Sequence, residues 1–312
     1  MKIQKDGLIN MVRIIIAILL VSFSVLAPLW APSAVAGETL VLSTINNKVK
    51  KFVKRYDPLA QYLEQRLADQ GVDAVEVSIN TNRESLVEGL QSGHVDVYFD
   101  SPLIFASVAR ETGLQPALRS WKKGVAEYHS VIFTKASSSI ETLNDLQGRI
   151  IAFEEPTSTS GYLLPKSELI NAGYRLWETA SRGTKIHSKK IAYLFSTDDN
   201  NTVLWVMKGK VAAGVVDSVT FEDISARRPT NFRVVARSES VPRQVVGLRA
   251  GLDPAVASAL TEVLLEMHTT ETGRTVLKKF RTARFDHFPM GAEATFSRID
   301  RILSALDGPL TD

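Results

Sequence analysis

Downstream of residue 36 the hydrophobic positions switch repeatedly between two periods. "TLVLSTI" (39–45) is a β-branched run of strand length. In the following "YDPLAQYLEQRLADQG", Leu59, Tyr62, Leu63 and Leu67 recur three to four residues apart, on one helical face. "DAVEVSI" predicts the next strand, "RESLVEGLQSG" a helix closed by Gly93, and "VDVYF" a third strand. "DSPLIFASVARETG" opens on Asp100 or Ser101 as a cap, with Pro102 in the first turn where its missing N–H is tolerated. The β-α-β-α-β order predicts a mostly parallel sheet covered by helices.

The rhythm breaks at Gly124 in "WKKGVAEYHSVIF" and restarts with a long strand. A second set follows: "IETLNDLQG" as a helix, "RIIAFE" as a strand, and "GYLLPKSELINAG" as a helix ended by Gly173. Then come "KIAYLF" (strand), "NTVLWVMKGK" (helix), "VAAGVV" (strand) and "SVTFEDI" (helix). "FRVVAR" and "QVVGLR" read as strands again, and "PAVASALTEVLLEMH" closes the pattern with Val256, Leu260, Val263, Leu264 and Met267 on one side. The chain therefore reads as two α/β halves with crossovers near 123 and 235. In open α/β sheets ligands sit beyond the carboxyl ends of the strands, and two such halves facing each other make a cleft that closes by hinge motion.

The first residues carry a different message. Lys2, Lys5 and Arg13 precede an apolar run (14–26) that leads past Pro28 to Ala34-Val35-Ala36. A positive start, a short apolar core and a small-x-small exit describe a signal peptide over residues 1–36. The run is shorter than the roughly 20 residues of a spanning helix; an uncleaved anchor is the alternative. Cleavage after Ala36 leaves 276 residues with a charge near +1. The chain has no cysteine, which excludes disulfides, thiolate metal sites and a lipid-modified cysteine at the cleavage point. A periplasmic protein, not a lipoprotein, is expected. The 37 Lys and Arg against 34 Asp and Glu, with no long basic run, exclude a nucleic-acid signature.

Candidate chemistry concentrates in "FEEPTSTSGYLLP" (153–165), between a strand and a helix. A helix N-terminus presents unpaired N–H groups and about half a positive charge. Hydroxyls at Ser158, Thr159 and Ser160 add donors without charge, and Gly161 lets backbone approach a ligand closely. A tetrahedral oxyanion fits such a place; an ordinary helix cap with solvated neighbours accounts for the stretch as well.

"GHVDVYFDSP", "GVAEYHSVIF", "LNDLQGRIIAFEEPTSTSGYLLPKSELINAG" and "WVMKGKVAAGVVDS", in this order and spacing, make the chain resemble the phosphate/phosphite/phosphonate-type substrate-binding proteins of ABC importers. The likeness spans the whole chain after residue 36. It implies a bilobed α/β fold of the type II periplasmic-binding-protein class with two hinge crossovers. The first lobe is discontinuous, 37–122 and 236–312; the second is 123–235. It assigns the oxyanion grip to Ser158, Thr159 and Ser160, and a ligand-facing role to Tyr128, which otherwise reads as a core aromatic. The family commonly places a histidine before the helix that here starts near Asn200, but this chain has Asp198 and Asp199 there. An ionised aspartate only accepts hydrogen bonds and repels a dianion. The ligand is then a monoanion, a zwitterion or a different anion, with Asn200 and Asn201 able to donate nearby.

Asp217, at the end of "VAAGVVDS", either faces the cleft or caps the next helix. From the first half, Asn46, Asn47, Arg83 and the Tyr98-to-Ser101 segment are candidates, with Arg83 as a guanidinium able to balance an anion. Arg243 and Gln244 beside the second crossover have the same standing. No hydrolase, P-loop, dinucleotide or zinc motif occurs, and the five histidines, His129 and His187 among them, are scattered singly. No cofactor, metal or catalytic residue is expected. The function expected is capture of a small oxyanion by a monomeric protein and delivery to an ABC permease. The alternatives are a module that signals to a membrane histidine kinase and an exported hydrolase using Ser160.

Overall fold

The computed structural model describes residues 38–307. Within them the apolar runs become two six-stranded sheets. The first contains β1 (Glu38–Ile45), β2 (Val72–Asn80), β3 (Val97–Asp100), β4 (Gln115–Lys122), β13 (Val245–Leu248) and β14 (Thr282–Asp286). Its order is β14-β4-β13-β3-β1-β2, with β1 parallel to β2 and β3, and the other three strands antiparallel to their neighbours. The second contains β6 (Ser130–Lys135), β7 (Ile150–Phe153), β8 (Arg175–Glu178), β9 (Lys190–Phe195), β10 (Ala213–Asp217) and β11 (Phe232–Arg237). Here β10, β7, β9 and β8 run parallel, and β6 and β11 complete the sheet antiparallel. Where the chain passes between the sheets, β5 (Glu127–Tyr128) pairs with β12 (Val241–Pro242), Tyr128 opposite Val241. The molecule is thus bilobed, with a two-stranded ladder at the passage.

Each sheet buries both faces. On one side of the first, Phe99 meets Tyr56 and Phe280 edge-on at centroid distances of 5.5 and 5.4 Å. Tyr56 belongs to α1 (Val49–Leu67) and Phe280 to α8 (Glu271–Phe280). Burying side chains of this size contributes roughly 1.5–3 kcal/mol each. On the other side Leu86 and Leu90 of α2 (Arg83–Ser92) and Phe105 of α3 (Pro102–Thr112) cover Tyr98. The last helix, α9 (Ala292–Asp307), crosses from one lobe to the other. Its Ile299, Ile302 and Leu303 share one core with Leu103 and Ala106 of α3 and with Leu164 of α4 (Leu164–Asn171).

Several local expectations are corrected. The first helix begins at Val49 rather than near Tyr56 and carries Pro58 inside it; its basic opening turns hid the start. "IETLNDLQG" forms only one 3₁₀ turn, Leu143–Leu146, where Thr142 and Asp145 make a reciprocal capping box and Gln147 turns extended. The long strand after Gly124 is two, β5 and β6, interrupted at His129. Strand β8 was not anticipated, and α7 (Pro254–Glu266) is followed by α8, β14 and α9 instead of closing the pattern. The expected signal peptide lies outside the described residues. Among the described residues no helix is long and apolar enough to cross a membrane.

Gly247 sits in mid-sheet between β3 and β4, and a Cβ there falls 2.3 Å from Phe105 Cε2. Gly247→Ala is therefore expected to destabilise the fold by about 1–3 kcal/mol through overpacking. Urea unfolding checks this; an unchanged midpoint would show that the Phe105 ring yields freely.

Candidate functional site

The carboxyl ends of β7, β9 and β10 bring the second lobe's polar residues together. After β7 the chain makes a wide π-type turn, Thr159–Leu163, that runs directly into α4. Ser158 caps it: its Oγ accepts from Gly161 N at 2.9 Å and donates to Glu154 Oε2 at 2.6 Å. Glu154 N in turn donates to Gly161 O at 3.0 Å. The turn is closed so tightly that a Cβ on Gly161 falls 2.5 Å from Glu154 Cβ, so only glycine fits. Ser130 Oγ on β6 donates to Ser160 O at 2.7 Å and ties the turn to the sheet.

These bonds divide the hydroxyl cluster by role. The Ser158 hydroxyl is engaged as donor and as acceptor. Thr159 and Ser160 are buried, at 2% and 7% exposure, and Thr159 Oγ1, with the Tyr128 phenol as a polar neighbour, makes no hydrogen bond of normal geometry. A buried, unpaired hydroxyl calls for an explanation. Thr157 is exposed.

Tyr128 lies beside the Thr159 and Ser160 hydroxyls, and the Arg243 guanidinium covers its ring 4.2 Å from the centroid. Burial raises the Tyr128 pKa and Arg243 opposes the rise, so the phenol stays protonated and available as a donor. Arg243 also approaches Asp217 Oδ2 to 3.7 Å, and Lys123 Nζ reaches the same oxygen at 3.2 Å. Asp217 caps the next helix and also pairs with cations. Oδ1 accepts from Thr220 N at 3.0 Å, capping α6 (Ser218–Arg227), while Oδ2 takes the cations. Burial alone would raise its pKa; Arg243, Lys123 and the Thr220 bonds bring it below the ordinary value.

Asp198 and Asp199 separate cleanly. Asp198 is the exposed cap of α5 (Asp199–Met207), accepting from Asn201 N at 2.8 Å. Asp199 turns toward the site, where Thr220 Oγ1 lies 3.4 Å from its Oδ2. Burial first, then the charges of Glu154 and Asp217, push its pKa up to about 7. Burial also raises Glu154, against the Ser158 bond. Asn201 spends its amide on Ser196 O at 2.9 Å.

The first lobe presents a second cluster. Tyr98 OH donates to Asp100 Oδ2 at 2.5 Å, and Ser101 donates its N–H and its Oγ to Asp100 Oδ1 at 2.6 and 3.1 Å. Ser101 is the N-cap residue of α3 but makes no side-chain cap, and none of its hydrogen bonds reaches the second-lobe set. Arg83 does not join either cluster. Its guanidinium holds Glu111 at 2.7 Å and Ser107 O at 2.7 Å, across to α3, so its charge is neutralised there. Asn46 accepts from Lys48 N in its own turn. His129 sits near Arg237, and burial with that charge lowers its pKa.

Glu154, Lys123 and Thr220 were missed from the sequence. Glu154 had a signal, a carboxylate at the very end of a strand. Lys123 had a weaker one: a lysine before Gly124, held left-handed at φ 58°. Among the described residues no group of His, Cys, Asp and Glu could hold a metal.

The raised Asp199 carboxyl fixes the sign of a pH effect. Its folded pKa of about 7 exceeds the ordinary 3.8, so between these values the folded chain holds a proton the unfolded chain has lost. Stability contributed by that proton is present at the acid end and is lost as pH rises through about 7. Thermal melts are expected to show wild type losing stability relative to Asp199→Asn over this window. Parallel curves would place Asp199 in solvent.

Residues 44–289 match the family described as ABC transporter, phosphonate, periplasmic substrate-binding protein. The chain is 27% identical over 235 residues, 72% of its own length and 70% of the relative's, to the phosphate-import protein PhnD of Mycolicibacterium smegmatis. Among solved structures it is similar to XAC2383 of Xanthomonas citri bound to ATP (TM-score 0.78, 26% identity, 87% of this chain and 99% of that one). PhnD1 of Prochlorococcus marinus in complex with methylphosphonate shares the fold (TM-score 0.62, 20% identity, 86% and 98% covered). With two mixed α/β lobes and a polar site at the strand ends, the chain belongs to the periplasmic substrate-binding proteins of phosphonate ABC transporters, a family of type II binding-protein fold whose members bind and carry rather than catalyse.

Proposed function

We propose that this chain captures a small phosphorus oxyanion of the phosphonate, phosphite or phosphate type between its lobes and delivers it to an ABC permease. The observation that carries the reading is the buried, unpartnered Thr159 Oγ1 beside Ser160 and Tyr128 at the start of a helix. Leaving a hydroxyl buried without a partner costs about 1–3 kcal/mol, and an oxyanion placed there removes that cost. The N–H groups of the first turn and the Tyr128 phenol add donors. Arg243 and Lys123 supply positive charge, although both already face Asp217. The named ligands of two relatives above 25% identity, phosphate and ATP, carry the same tetrahedral group.

Glu154 and Asp199 restrict the ligand. A dianion meets two carboxylates within the same site, whereas a protonated Asp199 offers one more O–H donor. A monoanionic oxyanion therefore binds better as pH falls through about 7. The three carboxylates Glu154, Asp199 and Asp217 also favour a second reading, an oxyanion that carries an amine. Such a ligand gains from ionised Asp199, so its affinity moves in the opposite direction with pH.

Calorimetry with methylphosphonate, phosphate, phosphite and an aminoalkylphosphonate tests both. Thr159→Val and Ser160→Ala are expected to weaken binding about tenfold each, the worth of one charge-assisted hydrogen bond, with thermal stability nearly unchanged. If none of these anions binds, or if both variants bind like wild type, the pocket lies elsewhere. The sign of the pH dependence decides between the plain and the amine-bearing ligand.

A further inference from the structure

Beside the hinge the first lobe holds a cavity of about 500 Å³, of whose lining the oxyanion reading uses only Lys123. It lies between α1, the end of β4 and the corner joining α8 to β14. Five cations line it, Arg55, Lys122, Lys123, Lys278 and Arg281, and no acid does. Lys123 is paired with Asp217; the other four make no ion pair with any described residue. Lys123, Lys278 and Arg281 are exposed, and Asp100 of β3 attracts Lys122. Burial and then Arg243 push Lys122 down to about 8, and burial followed by Arg281 lowers Arg55. Phe52, Tyr56 and Phe280 give the cavity an apolar floor, with Arg55 held over the Phe52 ring at 4.2 Å.

The backbone adds an independent observation. Among the described residues three non-glycines have left-handed φ, and two of them line this cavity: Lys123 at 58° and Arg281 at 67°. Each such residue costs on the order of 1 kcal/mol or more, and persists where the surroundings demand it. Glycine would relieve both positions; long cations occupy them instead.

We propose that this cavity is a second anion subsite, which takes a multiply charged phosphate such as a diphosphate group. Crowded cations on a low-dielectric floor lose free energy steeply when an anion enters. The volume falls within the roughly 300–1,000 Å³ of sites for sizeable organic ligands, more room than one phosphonate group needs. The cavity also adjoins the hydroxyl turn's neighbours, because Lys123 of its lining and Arg243 of the turn's site meet on the same Asp217 oxygen at 3.2 and 3.7 Å. One ligand can therefore span both, or a separate polyanion can occupy the cavity alone. Only the spanning case rests on the reading of the hydroxyl turn as an oxyanion site.

The test is calorimetry on the whole chain with methylphosphonate and with inorganic pyrophosphate. Three proteins are compared: wild type, Ser160→Ala, and the double variant Arg55→Gln/Arg281→Asn, in which asparagine tolerates the left-handed backbone. Wild type is expected to bind pyrophosphate at least about tenfold tighter than methylphosphonate. The double variant should lose about tenfold or more for pyrophosphate and less than twofold for methylphosphonate. Lys278→Gln, on the exposed face of α8, should lose pyrophosphate affinity in the same direction and serves if the double variant misfolds. Weaker pyrophosphate binding in Ser160→Ala supports a spanning ligand; unchanged binding supports an independent site. Absence of methylphosphonate binding, with pyrophosphate still sensitive to Arg55 and Arg281, would overturn the hydroxyl-turn reading and leave the subsite standing. Pyrophosphate binding no tighter than methylphosphonate, or unaffected in folded variants, overturns the subsite.

Discussion

Asp217 is where the two halves of the charge arrangement meet, and most of the site depends on its pairing. It stands with Glu154 and Asp199 at the ends of three neighbouring strands, on the one lobe where the fold also puts the hydroxyl turn. Three ionised carboxylates at such spacing repel one another. Lys123 and Arg243 settle the conflict from the passage between the lobes, meeting one Asp217 oxygen at 3.2 and 3.7 Å. Asp217 stays ionised below its ordinary pKa, while Asp199, raised first by burial and then by the charges of Glu154 and Asp217, reaches about 7. The hinge is therefore more than a tether. Its cations set the protonation of a carboxylate that belongs to the second lobe.

The hydroxyl turn follows a parallel logic. Its shape requires Gly161, because Glu154 fills the space a side chain would take. Glu154 is there to accept from Ser158, and Ser158 caps the turn that presents Thr159 and Ser160. Of three adjacent hydroxyls, the first maintains geometry, and the next two are the ones proposed for recognition. This division also separates the expected effects of substitution. Loss of the Ser158 hydroxyl disturbs the turn itself, while loss at Thr159 or Ser160 removes donors from a turn that keeps its form.

Much of this was legible in the sequence, and for stated reasons. The alternation of period-2 and period-3.6 runs predicted the α/β class, and "TSTSG" was expected between a strand and a helix, where the structure has it, after β7 and leading into α4. What the sequence did not reveal was contact across long separations. Arg83 looked like a free counter-charge because Glu111, its partner on a different helix, is 28 residues away. Lys123 was not singled out, because Asp217, its partner, is 94 residues away. The capping box at Thr142 and Asp145 was local and visible, yet the segment stops after one turn, since Gln147 goes extended toward β7. Periodicity reports which face is buried; it does not report which charges are brought together.

The distribution of charge across the cleft has a consequence for selectivity. The second lobe offers an oxyanion neutral donors, hydroxyls and N–H groups, in the company of carboxylates. The first lobe offers, at the hinge, a cavity lined by cations, of which Lys123 is paired with Asp217. Neutral donors distinguish ligands by geometry and protonation, since a carboxylate nearby penalises each added negative charge. Unpaired cations reward total charge instead. A ligand with one singly charged oxyanion is best served by the first environment alone, and one with several charges gains only if part of it reaches the second. The two proposed sites would thus apply two different discriminants, joined at Asp217, and the extent of a ligand along that line would decide which of them governs its affinity.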